Sequence, residues 1–266
     1  MKLSDVLYFI NKKLLILYIM YAIISKQICI LDKEIYMNKK IGRVGELSWI
    51  VGNIFCAIGN CLVSKSAFGL SPIIAPAFVI NKFANKISVG ISEYLIQGIL
   101  LLLCCVLIRK FKAKFIATIC NILFYGAAFD IVNYLFSSIQ PNTISERIIV
   151  AVIGTIITSF AIASMLRTYI PPSAYEIFVK EVAESKNINL NKMKLIFDAS
   201  MLALTFVLMF GLLGEFRLDI VGPLTVIAAF VNSILIGFFG KFLDKTFEFT
   251  PAIPKLYEIL NPNTKK

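Results

Sequence analysis

The sequence predicts an all-α polytopic membrane protein, with about six transmembrane helices forming a 3+3 inverted repeat and with short interfacial helices. Apolar residues make up 58% of the 266 residues, and the mean hydropathy is +0.82, whereas soluble domains are about 45–50% apolar. The apolar residues are also grouped in blocks of roughly 18–25, the length at which a helix crosses about 30 Å of hydrocarbon. Together these two observations predict the membrane class.

Six apolar blocks are long enough to be spans, and they lie at about 46–64, 89–108, 115–137, 147–166, 195–213 and 222–240. Lys and Arg are concentrated before the first span, between the second and third, between the fourth and fifth, and after the sixth. Cytoplasmic loops carry the excess of basic residues, so we expect a multi-pass protein of the cell (inner) membrane with both ends of the six-helix unit in the cytoplasm. Lys65, Lys82 and Lys86, between the first two spans, do not fit this orientation.

The two halves of the chain share an order of elements: a span, a proline-containing turn, a short amphipathic piece and two further spans. A shift of 100 residues superposes Pro72 and Pro172, and shifts of 105 and 107 superpose the second and third spans of the two halves. Because each half has an odd number of spans, a second copy must be inverted across the membrane, as in many secondary transporters. We therefore predict repeats at about 46–137 and 147–243; similarity of composition among membrane helices is the alternative explanation.

The two proline-containing pieces, "GLSPIIAPAFVINKF" and "PPSAYEIFVKEVAESK", are predicted to be short helices in equivalent positions. In the second, Ser173 and Glu176 have the spacing of a capping box. In the first, Ser71 is placed to cap a helix that has Pro72 at its first position. Both are expected at the membrane surface; the alternative is that one dips inward as a half-helix, with exposed N–H groups that attract anions.

The domain assignment places the transmembrane domain at 41–245 and a cytoplasmic tail at 246–266. Residues 1–40 are expected to lie outside the fold. The apolar run Leu14–Ile24 in this segment is short for a span, and Met37 opens a second plausible start. The segment is therefore interpreted as an extension from an over-called start, or as a peripheral helix.

Composition also excludes several classes of function. The net charge of +11 resides in loop lysines and arginines, which predicts contact with the anionic headgroups of the lipid bilayer and no binding to nucleic acid. There is no histidine, and the six cysteines form no CxxC pair, so we expect no metal site and no cofactor. No nucleophile and base can be paired, and no catalytic residue or enzyme activity is predicted.

Polar side chains within spans are rare, and they mark functional sites. The candidate substrate- or ion-binding residues are Asp130, Asn133, Asn53, Asn60, Glu93, Gln97 and Asp198. Asp130 lies about two thirds through the third span, and Asn133 follows on the same helical face. We interpret Asp130 either as a cation or proton site or as an acid solvated near the outer interface.

The remaining candidates are open to two interpretations. Glu93 and Asp198 open the second and fifth spans at equivalent positions, where the helix dipole would stabilise a carboxylate, and Gln97 lies one turn below Glu93. Asn53 and Asn60 follow glycines on one face of the first span. They are expected either to hydrogen-bond between packed helices or to line a pathway.

Three segments resemble the YczE/YitT-like group of bacterial multi-pass membrane proteins: "GNCLVSKSAFGLSPI", "FYGAAFDIVNYLF" and "VGPLTVIAAFVNSILIG". The resemblance covers about 41–245. The last segment has Gly-Pro-Leu-Thr where Gly-x-Gly-Thr is more typical of the group. The resemblance implies an integral protein of the bacterial inner membrane in a largely uncharacterised family, and it supplies no binding residues.

The repeat and Asp130 predict a transporter-like protein for a small solute or ion. One alternative is a non-transporting accessory protein that stabilises a partner at the cytoplasmic face, motivated by the amphipathic piece at 173–187 and the basic loops. Another is the substrate-binding subunit of a vitamin-type importer. A protein partner or a homo-oligomer is compatible with each of these hypotheses.

Overall fold

The computed structural model describes Gly42 and residues 44–261, so the predicted extension 1–40 and the final five residues lie outside the described residues. Helices and connecting turns make up this described part, which contains no strand. The helices are α1 (Gly45–Ser66), α2 (Ala75–Phe83), α3 (Val89–Ile108), α4 (Ala113–Leu135), α5 (Ile144–Met165), α6 (Ala174–Lys186), α7 (Leu190–Leu208), α8 (Pro223–Thr246) and α9 (Pro254–Leu260). A π-helical turn, Met209–Leu213, extends α7.

Five of these helices are long and apolar enough to cross a membrane: α1, α3, α4, α5 and α7 with its extension. They coincide with five of the six predicted spans, and the prediction of a helical membrane protein is confirmed at this level. Their outward faces expose large apolar side chains, such as Val106 at 71% and Leu102 at 68%, which suit contact with lipid. The sixth predicted span falls on α8, a helix of 24 residues.

The centre of the bundle is the contact between α1 and α5, which pack along much of their length. Glycines on both helices bring the two backbones together. A Cβ atom on Gly59 would lie 2.6 Å from the backbone nitrogen of Thr158 and 2.8 Å from the carbonyl oxygen of Gly154. Small residues permit such close approach in membrane helices, so glycine is required here by space.

Each short helix contacts the same two long helices. The helix α2 packs on α3 and α7, and α6 packs on α7 and α3. The buried residues of α2 include Ala75, Ala77 and Val79, and those of α6 include Ile177 and Val182. The apolar faces predicted from the amphipathic pattern are therefore covered by other helices of the protein.

The predicted start of α2 and the predicted capping box of α6 are wrong, whereas α6 does begin directly after Ser173. The helix α2 begins at Ala75 instead of Pro72, because the carbonyl oxygen of Ser71 accepts from Ile74 N and Ala75 N in a preceding turn. The Ser173 hydroxyl donates to the Glu176 carboxylate and caps no backbone N–H group of α6. A capping box does form at α5, where Thr143 Oγ1 accepts from the backbone nitrogen of Glu146.

Two connections close the bundle at its ends. The turn before α2 hydrogen-bonds to the turn before α8, through Leu70 N to Ile220 O at 2.9 Å and Leu224 N to Phe68 O at 2.9 Å. Gly69 has a φ of 105° in this turn, a conformation that favours glycine. In the predicted tail, the segment before α9 docks on α1, where the Glu46 carboxylate accepts from Ala252 N and Ile253 N.

Candidate functional site

A cavity of about 90 Å³ lies within the bundle, between α1 and α5 and the starts of the two short helices. Its polar lining residues are Asn53, Asn60, Ser71, Gln97, Asn121, Tyr125, Thr158, Ser173, Tyr175, Glu176 and Asn232. Since one water molecule takes up about 30 Å³ of liquid, the space suits an ion or a small polar molecule. Neither Lys nor Arg is part of the described lining.

Both short helices present their amino-terminal ends to this cavity. The turn before α2 contributes Ser71 and Ile74, and the start of α6 contributes Ser173 and Tyr175. The first N–H groups of a helix have no partner within the helix and carry a partial positive charge. In α6, Ala174 N donates to the Gln97 side-chain oxygen at 3.3 Å. In α2, Ala75 N and Ala77 N donate to the carbonyl oxygens of the preceding turn, and Pro76 has no N–H.

A buried polar network connects α3 with α6 beside the cavity. Glu93 is only 1% exposed, and its Oε2 atom accepts from Gln97 Nε2 at 2.9 Å and from the Tyr175 hydroxyl at 2.9 Å. Its other oxygen, Oε1, has no hydrogen-bond partner among the described residues. Gln97 and Tyr175 both line the cavity, which places Glu93 directly behind the cavity wall.

A second group of polar side chains comes from α1, α4 and α5. Asn60 Nδ2 donates to the Tyr125 hydroxyl at 2.9 Å, and Asn121 Nδ2 donates to the carbonyl oxygen of Pro172. Asn121 Oδ1 and Thr158 Oγ1 are buried and have no partner in the described part of the chain. Buried polar atoms nearly always have a partner, so these two atoms are suited to bind water, an ion or a solute.

Residues 45–241 match a protein family described as "Family of unknown function (DUF6198)". The chain belongs to this family. No curated protein and no solved structure matches the chain. The matched range extends from α1 into α8 and includes every residue that lines the cavity. The match does not name the YczE/YitT-like group. What is shown is membership of the DUF6198 family and the presence of five helices that are long and apolar enough to cross a membrane.

Three of the predicted site residues of this DUF6198 protein line the cavity: Asn53, Asn60 and Gln97. Glu93 lies behind them and is connected to the lining through Gln97 and Tyr175. These residues come from α1 and α3, the first two predicted spans. The structure thus gathers four of the seven candidates around a single space.

The other three candidates lie elsewhere. Asp130 accepts from Ser88 Oγ at 2.6 Å and from Gly90 N at 2.9 Å, and so binds the first turn of α3. Asn133 Oδ1 accepts from Cys61 Sγ at 3.8 Å. Asp198 pairs with Lys194 along α7 at 3.4 Å. None of the three is part of the described lining of the cavity.

Several lining residues were not among the predicted site residues. Asn121 and Tyr125 are four residues apart and so share a face of α4, a signal that could have identified them. Tyr175 lies on the apolar face of an amphipathic helix, where a tyrosine is easily taken for core. Thr158 offered no signal, because hydroxyls in membrane helices usually bond to their own backbone.

The described residues contain no group of three or more His, Cys, Asp and Glu side chains that could hold a metal ion. The chemistry that the cavity offers is therefore hydrogen bonding by amides and hydroxyls, the partly positive start of α6, and the carboxylates of Glu93 and Glu176. This combination suits the binding of a small polar species by a DUF6198 protein.

Proposed function

We propose that this DUF6198 protein is a six-span, inverted-repeat protein of the inner membrane that binds a small polar solute or ion in its central cavity, as a transporter does. The observation that carries the proposal is the meeting of two short-helix amino termini at one polar cavity. Secondary transporters bind substrates near the bilayer midplane, at the interface of their repeats and at the ends of discontinuous helices.

The helix contacts support the repeat. Each half has the order long, short, long, long, and α1 and α5 are equivalent and contact each other. The equivalent pairs α1–α4 and α5–α8 both pack together, and each short helix packs on both α3 and α7. A duplicated unit related by an axis between α1 and α5 would give these paired contacts, with α8 as the sixth span, although the α3–α4 contact has no counterpart between α7 and α8 among the described residues.

Two salt bridges occupy similar positions in this scheme, although Glu181 lies one residue from the position that a shift of 100 assigns to Lys82. Lys82 of α2 pairs with Asp219 before α8 at 2.9 Å, and Glu181 of α6 pairs with Lys112 before α4. Asp219 follows Lys112 by the 107 residues that superpose the third spans. In an inverted repeat the two bridges lie at opposite faces of the membrane, each tying a short helix to the other half.

The cavity also favours a re-entrant position for the short helices over a surface position. Both begin at a cavity that is lined by α1, α4 and α5 and proceed outward between α3 and α7. The accessory-protein hypothesis was motivated by the amphipathic piece at 173–187 and the basic loops. The apolar face of that piece, now α6, packs on α3 and α7. We therefore favour binding within the cavity, and we retain kinship with the YczE/YitT-like group as part of the proposal.

Ligand-dependent thermal stabilisation of the purified protein in lipid nanodiscs tests the proposal. The panel contains alkali cations, halides, phosphate, amines, amino acids and small carboxylates. A ligand at 100 times its Kd should stabilise the protein by about 2.7 kcal/mol. The proposal fails if no compound raises the Tm in a dose-dependent manner.

The Thr158→Val variant tests whether the cavity is the binding site. The Thr158 hydroxyl has no described partner, so its loss should change the stability of the unliganded protein by less than about 0.5 kcal/mol. The loss of about 1 kcal/mol from one hydrogen bond should weaken ligand binding about fivefold. Thr205→Val is the matched control, because Thr205 is buried outside the cavity and bonds to the Met201 carbonyl oxygen. Equal affinities in both variants would contradict the site.

A further inference from the structure

We infer, on the basis of the proposed function, that Glu93 takes up and releases a proton at its Oε1 atom and that this proton is an ion exchanged through the cavity. The exchange is a simple proton equilibrium, in which the carboxylate and a proton from water in the cavity form the carboxylic acid. No bond other than the O–H bond forms or breaks. Glu93 is then a binding site for the proton, next to the site for the solute.

The burial of Glu93 requires a compensating positive charge. The side chain is 1% exposed within an apolar helix, and among the described residues neither Lys nor Arg lies within 4 Å of its oxygens. An ionised carboxylate without a partner is costly in such a place. A bound proton or another cation removes this cost.

The hydrogen bonds distinguish the two oxygens of Glu93. Oε2 accepts from both Gln97 and Tyr175. The orientation of the Gln97 amide is fixed, because its oxygen accepts from Ala174 N and its nitrogen therefore faces Glu93. Oε2 is thus held as an acceptor in both states, and the partnerless Oε1 is the atom that carries the exchanged proton.

The same hydrogen bonds provide the route to the cavity. Gln97 and Tyr175 touch Glu93 on one side and line the cavity on the other. The Tyr175 hydroxyl both donates and accepts, so it can take a proton from water in the cavity while it gives its own proton to Oε2. A half-turn of the carboxyl group then exchanges the places of its two oxygens and leaves the proton at the Oε1 position. The release of a solute that bonds to Tyr175 would change the donors available to Glu93, which couples the two sites.

A proton fits the surroundings of Glu93 better than a metal ion. Hard cations bind about six or more oxygen ligands, whereas the two described groups bonded to Glu93 are an amide nitrogen and a tyrosine hydroxyl, both acting as donors. The titratable groups that face Glu93 or lie near it are Cys56 of α1, Tyr125 of α4, and Tyr175 and Glu176 of α6. Since none of these is basic, none competes for the role of counter-charge.

Infrared spectroscopy of the full-length protein in lipid films tests this inference. The carbonyl stretch of protonated carboxylic acids is recorded from about pH 5 to about pH 9, the interval between the ordinary pKa of a glutamate and the highest values known for buried ones. The wild-type minus Glu93→Gln difference should contain a band that disappears as the pH rises. Asp198→Asn is the control, because Asp198 lies outside the cavity lining, and it should keep the band.

Tyr175→Phe provides a second measurement that does not depend on the Gln variant being folded. The loss of one of two donors to Oε2 removes a bond that favours the charged form, so the midpoint of the band should move about one unit to higher pH. A buried acid with only a structural role would keep its band at every pH, and that result would overturn the inference. A midpoint that depends on sodium or potassium, with choline as reference, would assign the site to a metal ion and overturn it also.

The two proposals can fail separately. A protein that binds a solute from the panel but shows no titrating band from Glu93 would refute the proton site alone. A protein with the band and no solute in the panel that stabilises it would refute the proposed function alone.

Discussion

At the scale of single residues, Asp130 and Glu93 show how position decides the role of an acid within a membrane helix. Asp130 accepts two hydrogen bonds from the start of α3, where the partial positive charge of a helix favours a carboxylate. Glu93 lies one turn further into α3 and has one oxygen without a described partner. The first arrangement stabilises the fold, and the second is suited to exchange.

Asp130→Ala is therefore expected to affect stability and to leave ligand binding unchanged. The variant loses bonds from Ser88 and Gly90 to a charged acceptor, and the free energy of unfolding should fall by about 2 kcal/mol. Thermal unfolding in nanodiscs measures the loss. Ser88→Ala, alone and combined with Asp130→Ala, provides a double-mutant cycle. Unchanged stability together with lost ligand binding would instead make Asp130 a site residue.

Part of the cavity lining could be predicted from the sequence because amides within apolar spans are conspicuous. Asn53, Asn60 and Gln97 were predicted on this ground and line the cavity. Asp130 was the leading candidate because it is an acid well inside its span. The bonds that hold it come from Ser88 and Gly90, about 40 residues away. Contacts of that kind depend on tertiary packing, so the sequence could not separate a capping acid from a binding acid.

At the scale of helices, the close approach of α1 and α5 rests on glycine. Gly59→Ala should lower the free energy of unfolding by about 1–3 kcal/mol, because the new Cβ atom would overlap backbone atoms of α5. Gly98→Ala is the matched control: a Cβ atom there meets nothing within 4 Å, and helix propensity predicts a gain of up to about 1 kcal/mol. Chemical or thermal unfolding measures the stability of both variants. An equal loss of stability in Gly98→Ala would contradict the explanation by steric overlap at Gly59.

The elements were predictable to different degrees. The second span was predicted at 89–108 and is Val89–Ile108, because length and hydropathy alone define an apolar span. The helix α9 was not predicted, because it was assigned to a polar tail and its start is held by Glu46, about 200 residues earlier in the chain. The short helices were predicted as elements. The start of α6 directly after Ser173 was also predicted, but the start of α2 was not, because residues 71–74 form a separate turn before it.

At the scale of the whole molecule, the proposed inverted repeat predicts on which side of the membrane each loop lies. Reporter tags near Gln140 and near Lys112 should be found on opposite sides, since one span, α4, separates them. Lys112 is expected in the cytoplasm. The side on which each position lies can be measured by placing a single cysteine there and testing its reaction with a membrane-impermeant thiol reagent in intact cells. Labelling of both positions from the same side would contradict the proposed inverted repeat.

The salt bridges at the two ends give a separate test. Burial favours the neutral form of Asp219, but the bonds from Arg217 and Lys82 outweigh it and lower the pKa of Asp219 below its ordinary value.

The other bridge joins Lys112 and Glu181. Lys112→Glu should place two carboxylates together and destabilise the protein, and Glu181→Lys in the same chain should restore the pair. Recovery of the Tm in the double variant would support the bridge, whereas additive losses would contradict it.

In the proposed repeat, the signs of these charges also determine which halves recognise each other. The first half carries Lys82 and Lys112 at the two bridging positions, whereas the second carries Glu181 and Asp219. Two copies of the first half, paired in the same way, would bring lysine against lysine, and two copies of the second would bring acid against acid. Electrostatic repulsion of this kind selects against wrong partners. If the chain were cut between α4 and α5, the fragments should therefore reassemble as mixed pairs.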